Sequence, residues 1–187
     1  MSLNAKGEKM FKEIAENRRS IRKFSKRKIE QEKIDVLLEV ALRSPSARGS
    51  RSWEFIVITE PELLEKISLA RPGGAAFIKN ASVAIVVCGD TSKSALWVEN
   101  CAIAAVSMQY AATSLGLGSR WAHMRGKDYN EEQSSRDYLA ELLGCPDNVD
   151  IECVIAFGYA DEEAAPYPKE DLPFDKVSYN RFGQKTA

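Results

Sequence analysis

The sequence is short of the residues that bind metals and form disulfides. Its 187 residues include one histidine, His123, and four cysteines with no C-x-x-C pair. Cys88, Cys101 and Cys153 lie in apolar runs, where buried, reduced thiols are commoner than disulfide bonds or metal ligands. A single histidine also argues against a histidine-based metal site. We therefore expect no metal, and a reduced protein of the cytoplasm.

The chain also lacks a long uncharged apolar run and an excess of either charge. Its first residues, MSLNAKGEKMF, have no apolar core of the kind that a signal peptide needs. The longest weakly polar stretch contains Glu99, Asn100 and Gln109, so it predicts a buried helix rather than a membrane span. Lysine and arginine total 26 against 27 aspartate and glutamate, a net charge of −1. Because no protein-wide basic field exists, we expect neither nucleic acid nor a membrane as a partner.

What is present is the composition of an ordinary globular domain. Hydrophobic residues make up 44% and charged residues 28% of the chain, a balance that supports one sizeable core. The sequence contains no internal repeat, low-complexity segment or linker. It therefore predicts a single domain over residues 1–187.

Hydrophobic periodicity predicts an α+β domain in which helices pack on a central sheet. The strand predicted at 82–89 is apolar throughout, which is typical of a sheet covered on both faces. The helix predicted at 94–115 is apolar on nearly every side, so it must be surrounded by protein or by a partner subunit. Four other helices are predicted: one that ends near Asn17, one over 34–42, one that begins at Pro61 and one over 131–143. Two other strands are predicted, over 53–60 and 151–160.

The last segment, residues 160–187, contains prolines and aromatic residues but no periodicity. Its prolines exclude a continuous helix, and its aromatic side chains argue against disorder. We expect an extended arm that packs on a partner subunit.

The stretch NRRSIRKF concentrates positive charge in an otherwise neutral chain. Arg18, Arg19, Arg22 and Lys23 fall within six residues. A local cluster of this kind points to one local anion rather than to a long polyanion. A solvated, charged turn is the alternative that this stretch alone leaves open.

Four segments, in order, resemble the nitroreductase family of FMN-dependent oxidoreductases. RRSIRKF resembles the family's opening R-R-S-x-R pattern, and SPSARGSRSWEFIVI resembles its P-S-x-x-N-x-Q-P-W pattern followed by a strand. WVENCAIAAVSMQYAATSLGLGSRW resembles its central helix and glycine-rich turn, and GYADEEAAPYPKEDLPFDKVSYNRF resembles its closing arm. The resemblance covers nearly the whole chain.

The resemblance implies a fold and an activity. The fold would be a three-layer sandwich, with a central mixed β-sheet flanked by helices and an extended C-terminal arm, in a domain-entwined homodimer. The activity would be that of an FMN enzyme that takes hydride from NADH or NADPH. It would reduce nitroaromatic, quinone or similar small-molecule acceptors by a ping-pong mechanism. The sequence does not distinguish NADH from NADPH, because it contains no dinucleotide-binding fingerprint.

By this resemblance the basic cluster binds the two ends of FMN. Arg18 and Ser20 correspond to phosphate ligands, and Arg19 contributes through its backbone. A phosphate with close to two negative charges needs such charge-assisted donors. Arg22 corresponds to the cation near flavin N1 and O2, where negative charge appears on reduction, so it would tune the flavin's potential.

The resemblance assigns the remaining cofactor contacts to loops of both subunits. The loop after the second helix would come from the partner subunit, and the glycine-rich turn would lie over the flavin. His123 would act beside flavin N5, Gly74 would line the ring, and Arg125 and Lys169 would add phosphate contacts. The predicted contacts outside the basic cluster are Pro45, Ser46, Ala47, Arg48, Ser50, Gly74, Trp121, Ala122, His123, Arg125 and Lys169.

Departures from the family pattern leave other functions open. Gly49, Arg51 and Ser52 stand where Asn, Gln and Pro are usual, and Arg120 replaces a small residue. One alternative is a specialised relative that fragments flavin or removes halogens reductively, although such relatives carry a lid insertion for which 187 residues leave little room. Two others are a non-enzymatic module that binds an anion or nucleic acid through Arg18–Lys23, and a scaffold that keeps the fold without flavin.

Overall fold

The computed structural model describes residues 5–185 of the chain. The first four positions of the predicted domain, and the last two of the domain and of its arm, lie outside the described residues. The helices are α1 (Ala5–Asn17), α2 (Gln31–Leu42), α3 (Pro61–Leu69), α4 (Trp97–Ser114) and α5 (Ser135–Leu143). The strands are β1 (Trp53–Ile58), β2 (Val83–Asp90), β3 (Gly118–His123) and β4 (Val149–Gly158).

These strands form a four-stranded sheet in the order β1-β2-β4-β3, and each neighbouring pair is antiparallel. This corrects the mixed sheet that we expected. Within residues 5–185, parallel pairing is confined to a bridge between Ser20 and Ser119. The apolar run of β2 needs no parallel neighbour, because this central strand is buried on both faces.

Helices cover both faces of the sheet and complete the three-layer α+β sandwich that the motifs predicted. On one face α2 and α4 pack over a core that includes Leu37 and Met108. On the other face α3 and α5 pack over a core that includes Ile67 and Leu139. Full burial of each such side chain contributes about 1.5–3 kcal/mol to folding. No helix in the described part of the chain is long and apolar enough to cross a membrane.

The helix predicted over 131–143 begins four residues later, at Ser135. The Asn130 side chain accepts hydrogen bonds from the backbone N–H groups two and three residues further on, at 2.9 and 2.8 Å. These bonds hold a turn where a helix would otherwise start. The Ser134 hydroxyl then caps the first turn of α5, and Gly144 ends the helix in a left-handed conformation (φ 69°).

The segment predicted as a glycine-rich turn behind α4 continues into the edge strand β3. The strand pairs with β4 along its whole length. Gly118 and Ser119 are weak strand formers, and Trp121 is the strong strand former among its six residues. Tertiary pairing with β4 therefore overrides a local sequence that favours a turn.

The described part of the arm, residues 161–185, contains two short 3₁₀ turns, Lys169–Asp171 and Phe174–Lys176. Several of its large apolar side chains are exposed, including Phe174, Tyr179 and Phe182. Its packing on a partner subunit stays a prediction.

Candidate functional site

The basic segment, Arg18–Lys23, runs across one end of the sheet and is held there by backbone hydrogen bonds. The Ile21 N–H donates to the Ser119 carbonyl of β3 at 3.0 Å. Just beyond the segment, the Ser25 N–H donates to the Tyr159 carbonyl, next to β4, at 2.8 Å. The positive charge is therefore fixed at one corner of the fold and is not carried by a free, solvated turn.

Two glycines let the basic segment approach the sheet closely. Gly118 and Gly158 lie opposite each other at the ends of β3 and β4. A Cβ on Gly118 would lie 2.9 Å from the Ile21 side chain, and one on Gly158 would lie 2.7 Å from the Phe24 ring. Because Ile21 and Phe24 are buried, they anchor the charged residues between and beside them.

Glu162 shapes the turn that carries Arg22. Its carboxylate accepts the backbone N–H groups of Arg22 and Lys23, the second at 3.1 Å. These hydrogen bonds lower the pKa of Glu162, and the Arg22 N–H contributes most. Since the backbone occupies this carboxylate, the Arg22 guanidinium forms no described ion pair.

Arg18 and Lys169, both predicted as phosphate ligands, line the same cavity. It has a volume of about 380 Å³ and lies between α1 and the arm. Neither cation is ion-paired with another residue in the range 5–185. The other lining residues are Lys12, Ala15, Glu16, Tyr167, Leu172 and Phe174.

Arg19 and Ser20 continue this end of the basic segment. The motifs assign Arg19 a backbone contact, and the structure adds a side-chain contact. Its guanidinium carbon lies 4.2 Å from the centroid of the Tyr167 ring, a cation–π distance that ties the segment to the arm. Ser20 is exposed beside its bridge to β3, so its hydroxyl is accessible to a ligand.

A larger cavity, of about 640 Å³, lies on the other side of the basic segment, between residues 23–28 and the start of α3. Lysines line it, but Arg18 and Arg22 do not. Arg27 in its wall is already paired with Glu30 at 2.6 Å. None of the residues predicted to contact FMN lines this cavity.

Arg120 places a second guanidinium near Arg22. It projects from β3, and its guanidinium carbon lies 4.4 Å from the centroid of the Phe77 ring. Burial lowers the pKa of Arg120, the charge of Arg22 lowers it further, and Glu162 opposes both effects. Because an arginine keeps its proton at any working pH, this corner carries two permanent positive charges.

The predicted flavin-facing residues of β3 divide between the two faces of the sheet. Trp121 and His123 lie on one face, with their ring centroids 6.5 Å apart and their planes 19° from parallel. Ala122 lies between them in sequence, so its side chain points to the opposite face, where it is buried in the core. Only the backbone of Ala122 is therefore available on the face of Trp121 and His123.

Glu152, which the motifs do not indicate, is a carboxylate buried within β4. It is 3% exposed and lies at a bulge, where its carbonyl accepts the N–H groups of both Met124 and Arg125. Its side chain accepts from Arg125 Nε at 2.8 Å and lies 3.6 Å from Nδ1 of His123. Arg125, predicted as a phosphate ligand, is thus engaged with Glu152 and does not line the Arg18 cavity. The signal in the sequence is an acidic residue that directly precedes the apolar run of β4.

Arg71 is a second residue that the motifs do not indicate. Its Nη1 donates to the carbonyl of His123 at 3.2 Å. Gly74, predicted to line the ring, makes room for it, because a Cβ at that position would lie 2.5 Å from Arg71 Nε. Arg71 therefore brings a further cation to the end of β3.

The loop Pro45–Ser50 joins α2 to β1 and is organised by Asn100 of α4. This asparagine is buried, and its Oδ1 accepts the Ala47 N–H at 2.9 Å. Its Nδ2 donates to the hydroxyls of Ser50 and Ser52, at 3.2 and 2.9 Å. The loop is therefore held in shape by a fully used buried amide, and Ser52 contributes although the family has proline there.

The same loop contains backbone strain. Arg48 and Arg51 have positive φ angles of 53° and 46°, and Gly49 has a φ of 66°. For residues other than glycine this conformation costs about 1–3 kcal/mol each and persists only where the surroundings fix it. One such contact is the Ser46 hydroxyl, which accepts the Arg51 N–H at 3.0 Å. Such strain is often found at functional sites.

The basic segment and the Pro45–Ser50 loop lie at diagonally opposite corners of the sheet. The loop leads into the edge strand β1, whereas the segment runs beside the opposite edge strand β3. Three strand spacings separate these edges, or about 14 Å. Within the described residues no hydrogen bond or ion pair joins the two groups. Within the described residues the two groups therefore do not form one compact site.

A family model described as "Nitroreductase family" matches residues 15–73 and 68–159 of the chain. The chain belongs to the nitroreductase family. The predicted family is confirmed, and with it the prediction of an oxidoreductase enzyme. The nitroreductase match includes the basic segment, the Pro45–Ser50 loop and β3, and it ends at the start of the arm. The placement of Lys169 therefore rests on the cavity that it shares with Arg18.

Individual nitroreductase relatives agree with this assignment. A protein of Archaeoglobus fulgidus, provisionally named an NADH dehydrogenase/NAD(P)H nitroreductase, is 39% identical over 158 residues, which are 82% of this chain and 87% of the relative. The solved structure of an FMN-dependent nitroreductase from Clostridium difficile superposes with a TM-score of 0.89 at 42% identity, covering 90% of this chain and 98% of that one. An iodotyrosine deiodinase of Thermotoga neapolitana is more distant, at 24% identity over 93% of this chain and 100% of its own length.

Proposed function

We propose that the chain is an FMN-dependent oxidoreductase that works as a homodimer. It takes hydride from NADH or NADPH and reduces nitroaromatic, quinone or similar acceptors by a ping-pong mechanism. The observation that carries this proposal is a set of cations that form no ion pair within residues 5–185. Arg18 and Lys169 share a cavity, and Arg22 lies further along the basic segment.

The residues present fit FMN at both of its ends. Arg18 and Lys169 share one cavity and form no ion pair within residues 5–185, because the carboxylate of Glu16 in the same cavity is paired with Lys12. Two such cations suit a phosphate with nearly two negative charges. The Ser20 hydroxyl is exposed beside them, and the FMN-dependent relative from Clostridium difficile supports the same cofactor. When bound, FMN supplies the redox chemistry by accepting hydride at N5 and passing electrons to the acceptor.

The rest of the site would come from a second copy of the chain. The strained Pro45–Ser50 loop and the basic segment lie at opposite edges of the sheet, which supports a site completed by the loop of a second chain. In addition, α4 carries apolar side chains on its outer face, where Ile103 is 37% and Val106 38% exposed. A helix that is apolar all round is expected inside a protein or an interface. These features support a homodimer in which each site uses both chains.

Around the reacting end, this chain would position groups rather than supply a strong acid. Arg71 holds the carbonyl of His123, and the buried Glu152 lies against its imidazole. His123 is thereby oriented at the end of β3, next to Trp121. We propose that His123 lies beside flavin N5 and influences which acceptor fits, and that either water or His123 delivers the proton.

The alternatives receive less support. An iodotyrosine deiodinase is 24% identical over 93% of this chain, whereas two relatives named for nitroreductase activity are 39% and 42% identical. A nucleic-acid module would present its cations on an open surface, whereas Arg18 lines a cavity and Arg19 lies against Tyr167.

A reducing compartment fits the thiol chemistry of the chain. All four cysteines are free, and burial raises the pKa of Cys88, Cys101 and Cys153. Thiols that are buried and protonated are slow to oxidise. We propose the cytoplasm as the site of action.

The proposal is tested on purified protein. A yellow sample that releases FMN on denaturation, at one FMN per chain, and that oxidises NADH or NADPH in the presence of a quinone would support it. A colourless protein that takes up no FMN in a fluorescence titration would rule the proposal out and leave a scaffold that keeps the fold without flavin.

A further inference from the structure

Arg120 and Arg22 are brought together by the backbone and not only by flexible side chains. The Ile21 N–H donates to the Ser119 carbonyl at 3.0 Å. Arg22 follows the donor residue and Arg120 follows the acceptor residue, so the two arginines leave neighbouring backbones at the same corner. Their proximity is therefore built into the packing of the basic segment against β3.

The Arg120 guanidinium is held in place without a carboxylate partner. It stacks on Phe77, which is itself buried, at 4.4 Å from the ring centroid. The nearby carboxylate of Glu162 is occupied by the backbone N–H groups of Arg22 and Lys23. Within the described chain neither guanidinium forms an ion pair. A fixed cation stacked on an aromatic ring is pre-organised to bind a planar, delocalised anion.

Two like charges, of which Arg120 is partly buried and Arg22 is exposed, repel each other in the absence of a ligand. Burial and the charge of Arg22 both act against the charged form of Arg120. Arginine does not respond by losing its proton, so the repulsion remains as a destabilising contribution to the empty protein. An anion placed between the two guanidiniums would remove it.

We infer that Arg120 is a second cofactor-contacting cation beside Arg22, and that the two guanidiniums together stabilise the negative charge of reduced FMN. This inference rests on the proposed function. Reduction adds two electrons and one proton to the flavin when hydride arrives at N5, which leaves one negative charge at N1 and O2. Two guanidiniums at that edge therefore favour the reduced form over the neutral oxidised ring.

The experiment compares Arg120→Met, Arg22→Gln and the double variant, first without flavin. Methionine keeps an apolar contact with Phe77 through its thioether and removes the charge. We expect Arg120→Met to raise the melting temperature of the flavin-free protein by about 2 °C when Arg22 is present. In the Arg22→Gln background the rise should be smaller, because the repulsion from Arg22 is absent there, whereas the burial of Arg120 and its contact with Phe77 change equally in both backgrounds. An equal change in both backgrounds would overturn the claim that the two charges repel.

The second measurement uses added FMN. In Arg120→Met the binding of reduced FMN should weaken about tenfold relative to that of oxidised FMN, which lowers the midpoint potential by about 30 mV for a two-electron couple. Arg120→Lys, which keeps the charge, should lose less, and Lys66→Gln, which removes an exposed charge on α3, should leave the potential unchanged. An unchanged midpoint potential in Arg120→Met would overturn the inference. This holds even if the KM for an anionic acceptor rises, because Arg120 would then contact the acceptor and not the flavin. If the unaltered protein takes up no FMN at all, the proposed function fails, whereas the flavin-free comparison still decides whether the charges are coupled.

Discussion

Among single residues, Arg18 and Arg22 are expected to meet different charges on the same cofactor. The phosphate near Arg18 has the same charge in oxidised and reduced FMN, so Arg18→Gln should weaken both forms about equally and mainly release flavin. Arg22 would face charge that appears only on reduction, where a charge-assisted hydrogen bond contributes about 1.5–3 kcal/mol. Arg22→Gln should therefore lower the midpoint potential by about 30–60 mV.

Redox titration of both variants, with fluorescence titration of oxidised FMN, separates the two roles. Lys66→Gln is the control for loss of one positive charge, since this exposed lysine lies on α3. If Arg22→Gln loses FMN and keeps its potential, Arg22 belongs to the phosphate and the division of roles is wrong.

His123 tests the reacting end of the site at the same scale. We expect His123→Ala to change the affinity for FMN by no more than about twofold, because Arg18 and Lys169, the cations proposed to bind the phosphate, are unchanged. The ratio of turnover with a quinone to turnover with a nitroaromatic should change, since the imidazole lies beside Trp121 and not in the cavity that Arg18 and Lys169 line. Glu152→Gln, which leaves His123 in place but removes the charge against its Nδ1, should shift the same ratio less. A uniform loss of turnover with every acceptor in His123→Ala would contradict this role.

Among the elements, the attachment of the basic segment depends on two glycines. Gly158→Ala would place a Cβ 2.7 Å from the Phe24 ring, and overpacking of this kind usually costs about 1–3 kcal/mol. Because Phe24 anchors the segment, FMN affinity should fall together with stability. Thermal melting and flavin titration measure the two effects, and adding Phe24→Leu should restore part of both. If affinity falls and the second change restores none of it, the contact between Gly158 and Phe24 is not the cause.

The stability of the protein at acid pH tests the hydrogen bond between Tyr159 and Glu30, which lies in the stretch that joins the basic segment to α2. The Tyr159 hydroxyl donates to Glu30 at 2.6 Å, and with Arg27 it lowers the pKa of Glu30 from 4.5 to about 2. A carboxylate with a lowered pKa stabilises the fold above about pH 4.5, and that contribution is lost as the pH falls towards 2. Tyr159→Phe should therefore melt at a lower temperature than the unaltered protein at pH 7, and the gap should narrow between pH 4.5 and 2. A gap of constant size across that range would show that Glu30 does not carry the effect.

Elements with a clear apolar period could be predicted from the sequence, and those set by tertiary pairing could not. The helix opened by Pro61 and the apolar strand β2 follow from local signals. The edge strand β3 does not, because its glycine and serine favour a turn until β4 supplies the hydrogen bonds. The mixed sheet that the resemblance implied was wrong, because each neighbouring pair of strands in the described sheet is antiparallel.

The parts of the candidate site whose charged residues are neighbours in the sequence could be predicted. The parts whose charged residues are distant in the sequence and meet only in the folded chain could not be predicted. Arg18, Arg22 and the Pro45–Ser50 loop are visible as motifs. Arg71 and Glu152 are isolated residues in the sequence, and only the folded chain brings both of them to His123. A lone charged residue is usually solvated, so its role becomes visible only with its burial and its neighbours.

For the whole molecule, the decisive question is whether two chains share each site. Charge placed on the outer face of α4, as in Ile103→Lys, should produce monomers by sedimentation and should release FMN together with the partner. Obligate interfaces usually bury more than about 2,000 Å², so one buried charge is enough to weaken such a contact strongly. Leu69→Lys is the matched control on α3, on the other side of the sheet. A stable monomer that still holds flavin would contradict the homodimer.

Complementation between two defective chains tests shared sites directly. Arg18→Gln damages the basic segment and leaves the loop intact, whereas Ala47→Trp fills the loop and leaves the segment intact. If each site combines the segment of one chain with the loop of the other, both variant homodimers bind FMN poorly. A heterodimer of the two variants has one site with both defects and one with neither, so it should bind one FMN per two chains. Differently tagged chains, co-expressed and purified through both tags, allow that ratio to be measured. If both sites of the heterodimer are empty, each site takes its basic segment and its loop from the same chain. That result would contradict the shared site that we infer from the position of the two groups at opposite corners of the sheet.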